Sequence, residues 1–257
     1  MSAPSIAALG IRIFADGADL ATIQKAALDP RIQGFTTNPT LMRAAGVLDY
    51  REFGCAALQI VRDRPICFEV LGDDLATIGE EAREIASWGP NVYVKLPVTT
   101  TRGDFCGPVI RQLAREGIKV NVTAILTLPQ IERVRAALDP RTPAIVSVFA
   151  GRIADTGRDP VPIMTQARAL LSTRPSAQLL WASPRELLNL FEADAIGCHI
   201  ITLSADLLNK LKLVGKDLDD YSRETVAMFR NDALAAGYAL PPRHVLARRA
   251  AGPALGG

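Results

Sequence analysis

Lys95 is the residue whose setting most invites chemistry. It lies in Asn91-Val92-Tyr93-Val94-Lys95-Leu96-Pro97-Val98, a short apolar, β-branched run followed by Thr99, Thr100 and Thr101. Lysine occupies only six positions in the chain (Lys25, Lys95, Lys119, Lys210, Lys212 and Lys216). Taking an ammonium out of water is costly, so a lysine in apolar surroundings moves toward its neutral, nucleophilic form unless a carboxylate pairs with it. A neutral amine can add to a carbonyl and form a Schiff base. On this stretch alone, a lysine that snorkels to the strand end or closes an ion pair is the simpler reading.

Other polar residues end similar apolar runs. Asp16 closes Ile11-Arg12-Ile13-Phe14-Ala15-Asp16, and Glu69 stands near the end of Pro65-Ile66-Cys67-Phe68-Glu69-Val70. Thr36, Thr37 and Asn38 follow Gly34-Phe35, and Asn121 and Thr123 are spaced by two, which puts both on one side of a strand. Ser147, Ser183 and Thr202 end three later runs. Each has an ordinary explanation as a helix cap, turn residue or local backbone partner. Their convergence with Lys95 on one face gives a site with one amine and two carboxylates, and this weighs against coincidence. Arg152 and Arg185 follow the sixth and seventh apolar runs. Arginine suits phosphate geometry, and the loops after late strands are a recurrent phosphate site in α/β barrels. Solvated loop arginines are the plainer alternative in an Arg-rich chain.

The elements that must position these residues are legible as an alternation. Apolar strand-like runs cover residues 11–16, 34–39, 65–70, 92–98, 119–124, 144–150, 178–183 and 198–203. Helical spacing covers 20–28, 50–62, 74–87, 107–116, 129–138, 163–171, 185–193 and 206–211, with a loop at 151–160. A further helix is expected near 222–236. Eight runs apolar on both faces, repeating every ~25–30 residues, point to parallel βα units covered on both sides. At 257 residues this fits a single (β/α)8 TIM barrel with an extra C-terminal helix. The expected barrel domain is 1–240, with a flexible Pro-, Arg- and Gly-rich tail at 241–257. No GxGxxG follows the first strand, so a dinucleotide fold lacks its fingerprint.

Composition narrows the classes. The net charge is +2, aromatics are few and no basic stripe is interleaved with them, so no nucleic-acid partner is expected. No run is long enough to span a bilayer and residues 1–10 carry no secretory pattern, so neither membrane association nor export is expected. Cys55, Cys67, Cys106 and Cys198 are scattered without a CxxC pair, as expected of thiols in a reducing, cytoplasmic compartment. His199 and His244 are the only histidines, which removes His-rich zinc sites; His199 reads as a packed strand residue. Carbonyl chemistry in this chain therefore falls to a lysine.

Five stretches in order, Gly34-Phe35-Thr36-Thr37-Asn38-Pro39-Thr40, Val92-Tyr93-Val94-Lys95-Leu96-Pro97-Val98-Thr99, Asn121-Val122-Thr123, Ser147 to Asp155, and Ala182-Ser183-Pro184-Arg185, resemble the transaldolase family, including its fructose-6-phosphate-aldolase-like members. The resemblance spans about residues 11–240. It implies a metal-free, cofactor-free class I aldolase barrel acting on sugar phosphates. By the same resemblance Lys95 is the Schiff-base lysine, Asp16 the acid/base at the bond that breaks, and Glu69 with Thr123 the pair that serves the water of imine formation and hydrolysis. Asn38 and Asn121 match donors to sugar hydroxyls, Thr36 joins them in lining the substrate, and Ser147, Arg152, Ser183 and Arg185 match phosphate binders. Glu69 with Phe149 resembles true transaldolases, whereas the aldolase-like branch typically carries Gln and Tyr. A homo-oligomer is implied as well. Val148, Ala150 and Pro184 depart from the family's usual residues, and Pro184 can re-aim Arg185, so the resemblance leaves the acceptor sugar open.

Overall fold

Apolar runs of four to six residues form eight strands: β1 (Arg12–Asp16), β2 (Ile32–Thr36), β3 (Ile66–Glu69), β4 (Val92–Pro97), β5 (Val120–Ile125), β6 (Ala144–Val148), β7 (Ala177–Trp181) and β8 (Ile200–Ser204). Between them run α1 (Leu20–Ala27), α2 (Pro39–Ala44), α3 (Tyr50–Ile60), α4 (Leu75–Ser87), α5 (Gly107–Arg115), α6 (Leu128–Ala137), α7 (Ala150–Ala154), α8 (Val161–Leu171) and α9 (Leu188–Ala195). After β8 come α10 (Ala205–Lys210) and α11 (Leu218–Ala235). The computed structural model describes residues 5–240. Each strand pairs in parallel with the next, and β8 pairs with β1, closing the barrel expected from the sequence.

Strand side chains alternate, so each strand presents every second residue to the barrel interior. Two apolar clusters result. The larger holds Ile13, Phe35, Phe68, Val94, Leu96 and Val122, packed with helix residues such as Ile78, Ile110 and Val134. The smaller holds Phe14, Cys67, Ile145, Leu180, Ala182 and Ile200, and it is the inward set. Phe14 stands level with Gly34, and a Cβ at Gly34 would come within 2.4 Å of the Phe14 ring. Glycine there lets a phenylalanine fill the barrel. Continuing the alternation upward, Asp16, Thr36, Glu69, Lys95, Asn121, Thr123, Ser147 and Thr202 succeed this apolar set toward the C-terminal ends of their strands.

Helix starts are fixed by side-chain caps that supply acceptors to otherwise orphaned N–H groups. Asp19, Asp49 and Asp74 cap α1, α3 and α4, and Thr127 with Gln130 forms a capping box on α6. The expected elements differ from the observed ones mostly at ends. β2 stops at Thr36 because Asn38 leaves the strand to cap α2, with Pro39 in its first turn. Likewise β6 stops at Val148, and residues 150–154, expected as strand end and loop, form α7. His199, expected within a strand, immediately precedes β8, and its Nδ1 accepts from Leu179 N.

Residues 6–212 form one compact unit; the chain from residue 213, which includes α11, belongs to a second. α11 begins at Leu218, four residues earlier than expected, because Asp217 caps it through Asp219 N and Asp220 N. Acidic residues at a helix N-terminus also oppose its positive end. None of its residues is buried, and Leu218, Val226, Phe229 and Leu234 are exposed. The tail expected at 241–257 lies outside the described residues. Among the described residues no helix is long and apolar enough to cross a membrane.

Candidate active site

The strand ends and the loops after them enclose a cavity of about 550 Å³. Twelve of the residues singled out in the sequence line it: Asp16, Thr36, Asn38, Glu69, Lys95, Asn121, Thr123, Ser147, Phe149, Arg152, Ser183 and Arg185; Thr37, singled out with them, does not. Thr202 lines it too, and so do Leu180 and Ala182 from the apolar set below.

Lys95 is buried, with 6% of its surface exposed. Its Nζ lies 3.0 Å from Glu69 Oε2 and donates to Thr37 O at 2.7 Å. β3 and β4 are in register here, Glu69 opposite Lys95, so the pair is a direct consequence of strand pairing. The ion-pair reading of the lysine is thus met, and the pair stands inside the cavity. A buried ion pair is a poor source of stability compared with apolar packing. The pair also keeps the amine at the cavity wall.

Asp16 receives a hydrogen bond from Thr36 Oγ1 at 2.7 Å. Thr36 Oγ1 in turn lies 2.5 Å from Thr202 Oγ1. Because Thr36 spends its proton on Asp16, Thr202 is the donor in the second bond, and three neighbouring strands form one chain of hydroxyls ending on the carboxylate. Burial lifts the Asp16 carboxyl above its ordinary range and the nearby Glu69 charge adds to this, while Lys95 and the Thr36 hydrogen bond oppose it. Two carboxylates therefore differ in kind: one is ion-paired, the other desolvated with its proton affinity raised.

Thr123 Oγ1 is buried and has no hydrogen-bond partner among the described residues. A buried hydroxyl without a partner calls for a water or a ligand beside it. Its position is set by an irregularity in β5, where the register with β6 passes from Val122↔Val146 to Ile125↔Val148. Ala124 takes up the extra residue at φ 59°. Asn121 is held at both ends of its amide, receiving from Ser147 Oγ at 2.7 Å and donating to Cys67 Sγ at 3.4 Å. The Ser147 hydroxyl, expected at a phosphate, thus engages Asn121. Burial pushes the Cys67 thiol up to about 11, so it stays protonated and serves as floor. Asn38 Oδ1 caps α2 through Leu41 N at 3.0 Å, which leaves its NH2 as a donor at the cavity wall.

Arg152 and Arg185 stand at the rim. Arg185 grips Asp155 with two parallel bonds, Nε to Oδ1 at 2.8 Å and Nη2 to Oδ2. Arg152 makes no ion pair among the described residues. The two loops meet at Gly151, whose N–H points to Ala182 O at 3.4 Å. A Cβ at position 151 would fall 1.6 Å from Ser183 O. Ser183 itself is at φ 59°, a left-handed conformation that few non-glycine residues hold, immediately before Pro184. Gly151→Ala should therefore push the loops apart, costing about 1–3 kcal/mol of stability by overpacking. A thermal melt, with binding of phosphorylated sugars measured alongside, checks this.

Sequence reading placed Thr37 and Thr202 among the polar strand ends without a specific role, and gave Asp155 none. Thr202 carried a signal, since it comes two residues after Ile200 and so shares its inward face. Thr37 contributes through its backbone carbonyl, which no side-chain pattern reveals. Asp155 acts through a contact 30 residues away.

The barrel itself is widely shared. The structure resembles KGPDC from Streptococcus mutans (TM-score 0.53, 10% identity, covering 79% of this chain and 98% of that one). It resembles mandelate oxidase with (S)-2-phenylpropionate similarly (TM-score 0.55, 13% identity, 81% and 72%). At such identity these likenesses show the fold alone. Sequence relatives are more informative. A "Probable transaldolase" of Streptococcus agalactiae is 33% identical over 195 residues, covering 75% of this chain and 86% of the relative. A "Probable transaldolase 2" of Listeria monocytogenes is 31% identical over 228 residues, covering 86% and 99%. The family model described as Transaldolase/Fructose-6-phosphate aldolase matches residues 13–239. With the lysine, its two carboxylates and the barrel that presents them already in view, the chain belongs to the transaldolase/fructose-6-phosphate aldolase family.

Proposed function

We propose that the protein is a transaldolase-type transferase that moves a dihydroxyacetone unit from a ketose phosphate to an aldose phosphate through a Schiff base on Lys95. The observation that carries this reading is a buried amine 3.0 Å from one carboxylate, in a cavity also lined by a second carboxylate of raised proton affinity.

Lys95 passes a proton to Glu69 and its Nζ adds to the ketose C2 carbonyl. The carbinolamine loses water as Glu69 returns a proton to the leaving hydroxyl, and Thr123 Oγ1, without a partner among the described residues, supports a water position beside it. The Asp16 carboxylate then takes the C4 hydroxyl proton as the C3–C4 bond breaks. The aldose phosphate leaves, and the electron pair of that bond flows into the iminium to give an enamine on Lys95. An acceptor aldehyde adds to the enamine carbon, its oxygen is protonated by Asp16, and hydrolysis frees Lys95. In this reading the Asn38 NH2 and the Asn121–Ser147 pair, all at the cavity wall, orient sugar hydroxyls.

Phosphate binding is assigned to Arg152, Arg185 and Ser183. Since Asp155 already holds one edge of Arg185, Arg152 carries the larger share. Arg152→Ala is expected to raise the KM of phosphorylated acceptors by about 10- to 100-fold, the loss of a charge-assisted hydrogen bond. Arg185→Ala should raise it less, and an unphosphorylated aldehyde acceptor should respond to neither change. Steady-state kinetics with paired acceptors measures all three.

The function is tested by incubating fructose 6-phosphate with and without an acceptor aldose phosphate. Transfer product with acceptor, and little free dihydroxyacetone without it, is the expected result. Equal release of dihydroxyacetone in both arms would make the protein an aldolase, and binding without turnover would make it a phosphosugar-binding barrel. A homo-oligomer is also proposed, supported by the exposed apolar side chains of α11 and testable by light scattering. The thiols, none in a disulfide among the described residues, fit a cytoplasmic setting.

A further inference from the structure

Glu69 needs its carboxylate aimed at Lys95, yet it is the last residue of β3, where strand pairing ends and a loop begins. Val70, the next residue, is buried in the core, but packing holds the loop no further: Leu71 is 58% exposed. Polar contacts from the outer helices hold what this packing does not. Tyr50 Oη, at the start of α3, donates to the Glu69 carbonyl oxygen at 2.8 Å. Glu81, on α4, accepts from Leu71 N at 2.6 Å and Gly72 N at 2.8 Å with a single carboxylate oxygen. Val70 N donates to Lys95 O at 2.9 Å, so the segment is also tied to the lysine's own backbone. The Tyr50 ring is in turn fixed edge-on against Phe68 and Trp88, with centroids 6.4 and 5.4 Å away.

Tyr50, Leu71 and Glu81 line a cavity of about 400 Å³, none of whose lining residues is shared with the one that contains Lys95. Neither Tyr50 nor Glu81 lines the Lys95 cavity, so neither can touch a substrate there. We infer that Glu81 and Tyr50 are positioning residues: from outside the barrel they clamp the backbone at Glu69 and in the loop just after it, and thereby set where its carboxylate meets Lys95. The inference rests on the proposed Schiff-base reading, because the proton work of Glu69 is what the clamp would serve. A misplacement of about 1 Å at a reacting group can lower a rate by ~100-fold, so a slack clamp should be visible in kinetics.

The test uses Glu81→Ala, Glu81→Gln and Tyr50→Phe in the full chain, with the rate of imine formation measured by borohydride trapping with fructose 6-phosphate. Glu81→Ala and Tyr50→Phe should slow imine formation by about 10-fold or more. The KM for the phosphorylated donor should stay near the native value, since the arginine loops are untouched. Glu81→Gln should recover most of the rate, because its amide oxygen can still accept both N–H groups. Native-like trapping in Glu81→Ala and Tyr50→Phe overturns the inference. So does a loss that Glu81→Gln shares in full, or one that vanishes when rates are corrected for the folded fraction in a thermal melt, since either marks a merely structural role. If the native protein traps no adduct at all, the proposed function fails first, and that outcome is distinct from native trapping with unaffected variants.

Discussion

Lys95→Met yields no borohydride-trappable adduct and lowers kcat/KM by on the order of 10⁴-fold or more, because the covalent route disappears with the amine. It also has a structural consequence. The substitution strands Glu69, whose side chain is only 19% exposed, beside an apolar group. Breaking a buried pair from one side costs about 3–5 kcal/mol, and the residual exposure of Glu69 places this case at the low end. The double variant Lys95→Met/Glu69→Gln removes the stranded charge, so it should regain most of the stability and none of the activity. Thermal melts and trapping on the two variants separate chemistry from folding. An adduct that persisted in Lys95→Met would move the nucleophile to another lysine and end the assignment.

Asp16→Asn is expected to lower kcat by about 10²- to 10⁴-fold, the usual share of a positioned acid/base, while leaving the trapped adduct detectable. Lys95 and Glu69 remain to form the imine; what is lost is the group that takes the hydroxyl proton. Stability should move the other way. Burial raises the Asp16 carboxyl above its unfolded value, so the folded state holds this proton more tightly than the unfolded chain. Stability contributed by the protonated form is present below the unfolded value and is lost as pH rises through the folded one. At pH values above the raised folded one the native protein carries the full cost of a desolvated carboxylate, and asparagine does not. Asp16→Asn should therefore melt higher than the native protein at pH values above the raised folded one, with the gap closing as the pH falls toward the ordinary carboxylate range. The same raised affinity moves the acid limb of the native rate profile upward. A variant that melted lower than the native protein throughout that higher pH range would show that the charge on Asp16 is wanted by the fold and not merely tolerated.

The barrel was legible because its signal is repeated eight times, and an error of a residue or two at one strand end does not disturb the count. The strand-borne site residues were legible for a related reason. Asp16, Glu69, Lys95, Asn121 and Thr123 are polar interruptions in apolar runs, and alternation alone turns them inward. What remained hidden is tertiary or belongs to the backbone. α2 and α7 have five or six residues each and depend on caps and loop contacts more than on periodicity. The Thr37 carbonyl that receives the lysine has no side-chain signature. The grip of Asp155 on Arg185 joins different βα units, and that of Glu81 on the loop after Glu69 reaches back from the following helix; no periodicity reveals either contact.

The contact between Gly151 and Ser183 has an evolutionary reading. With a carbonyl oxygen lying where the next carbon would be, the two arginine-bearing loops move as one body. A change at Pro184 that shifts Arg185 must carry Arg152 with it. The effects of substitutions in the two loops should then be strongly epistatic. Single-site libraries aimed at a new acceptor would return mostly losses, whereas libraries that vary residues 150–152 together with 183–185 would reach altered acceptor ranges. The catalytic strands need not change, so a descendant of this protein could acquire a different substrate while inheriting the chemistry of Lys95 intact.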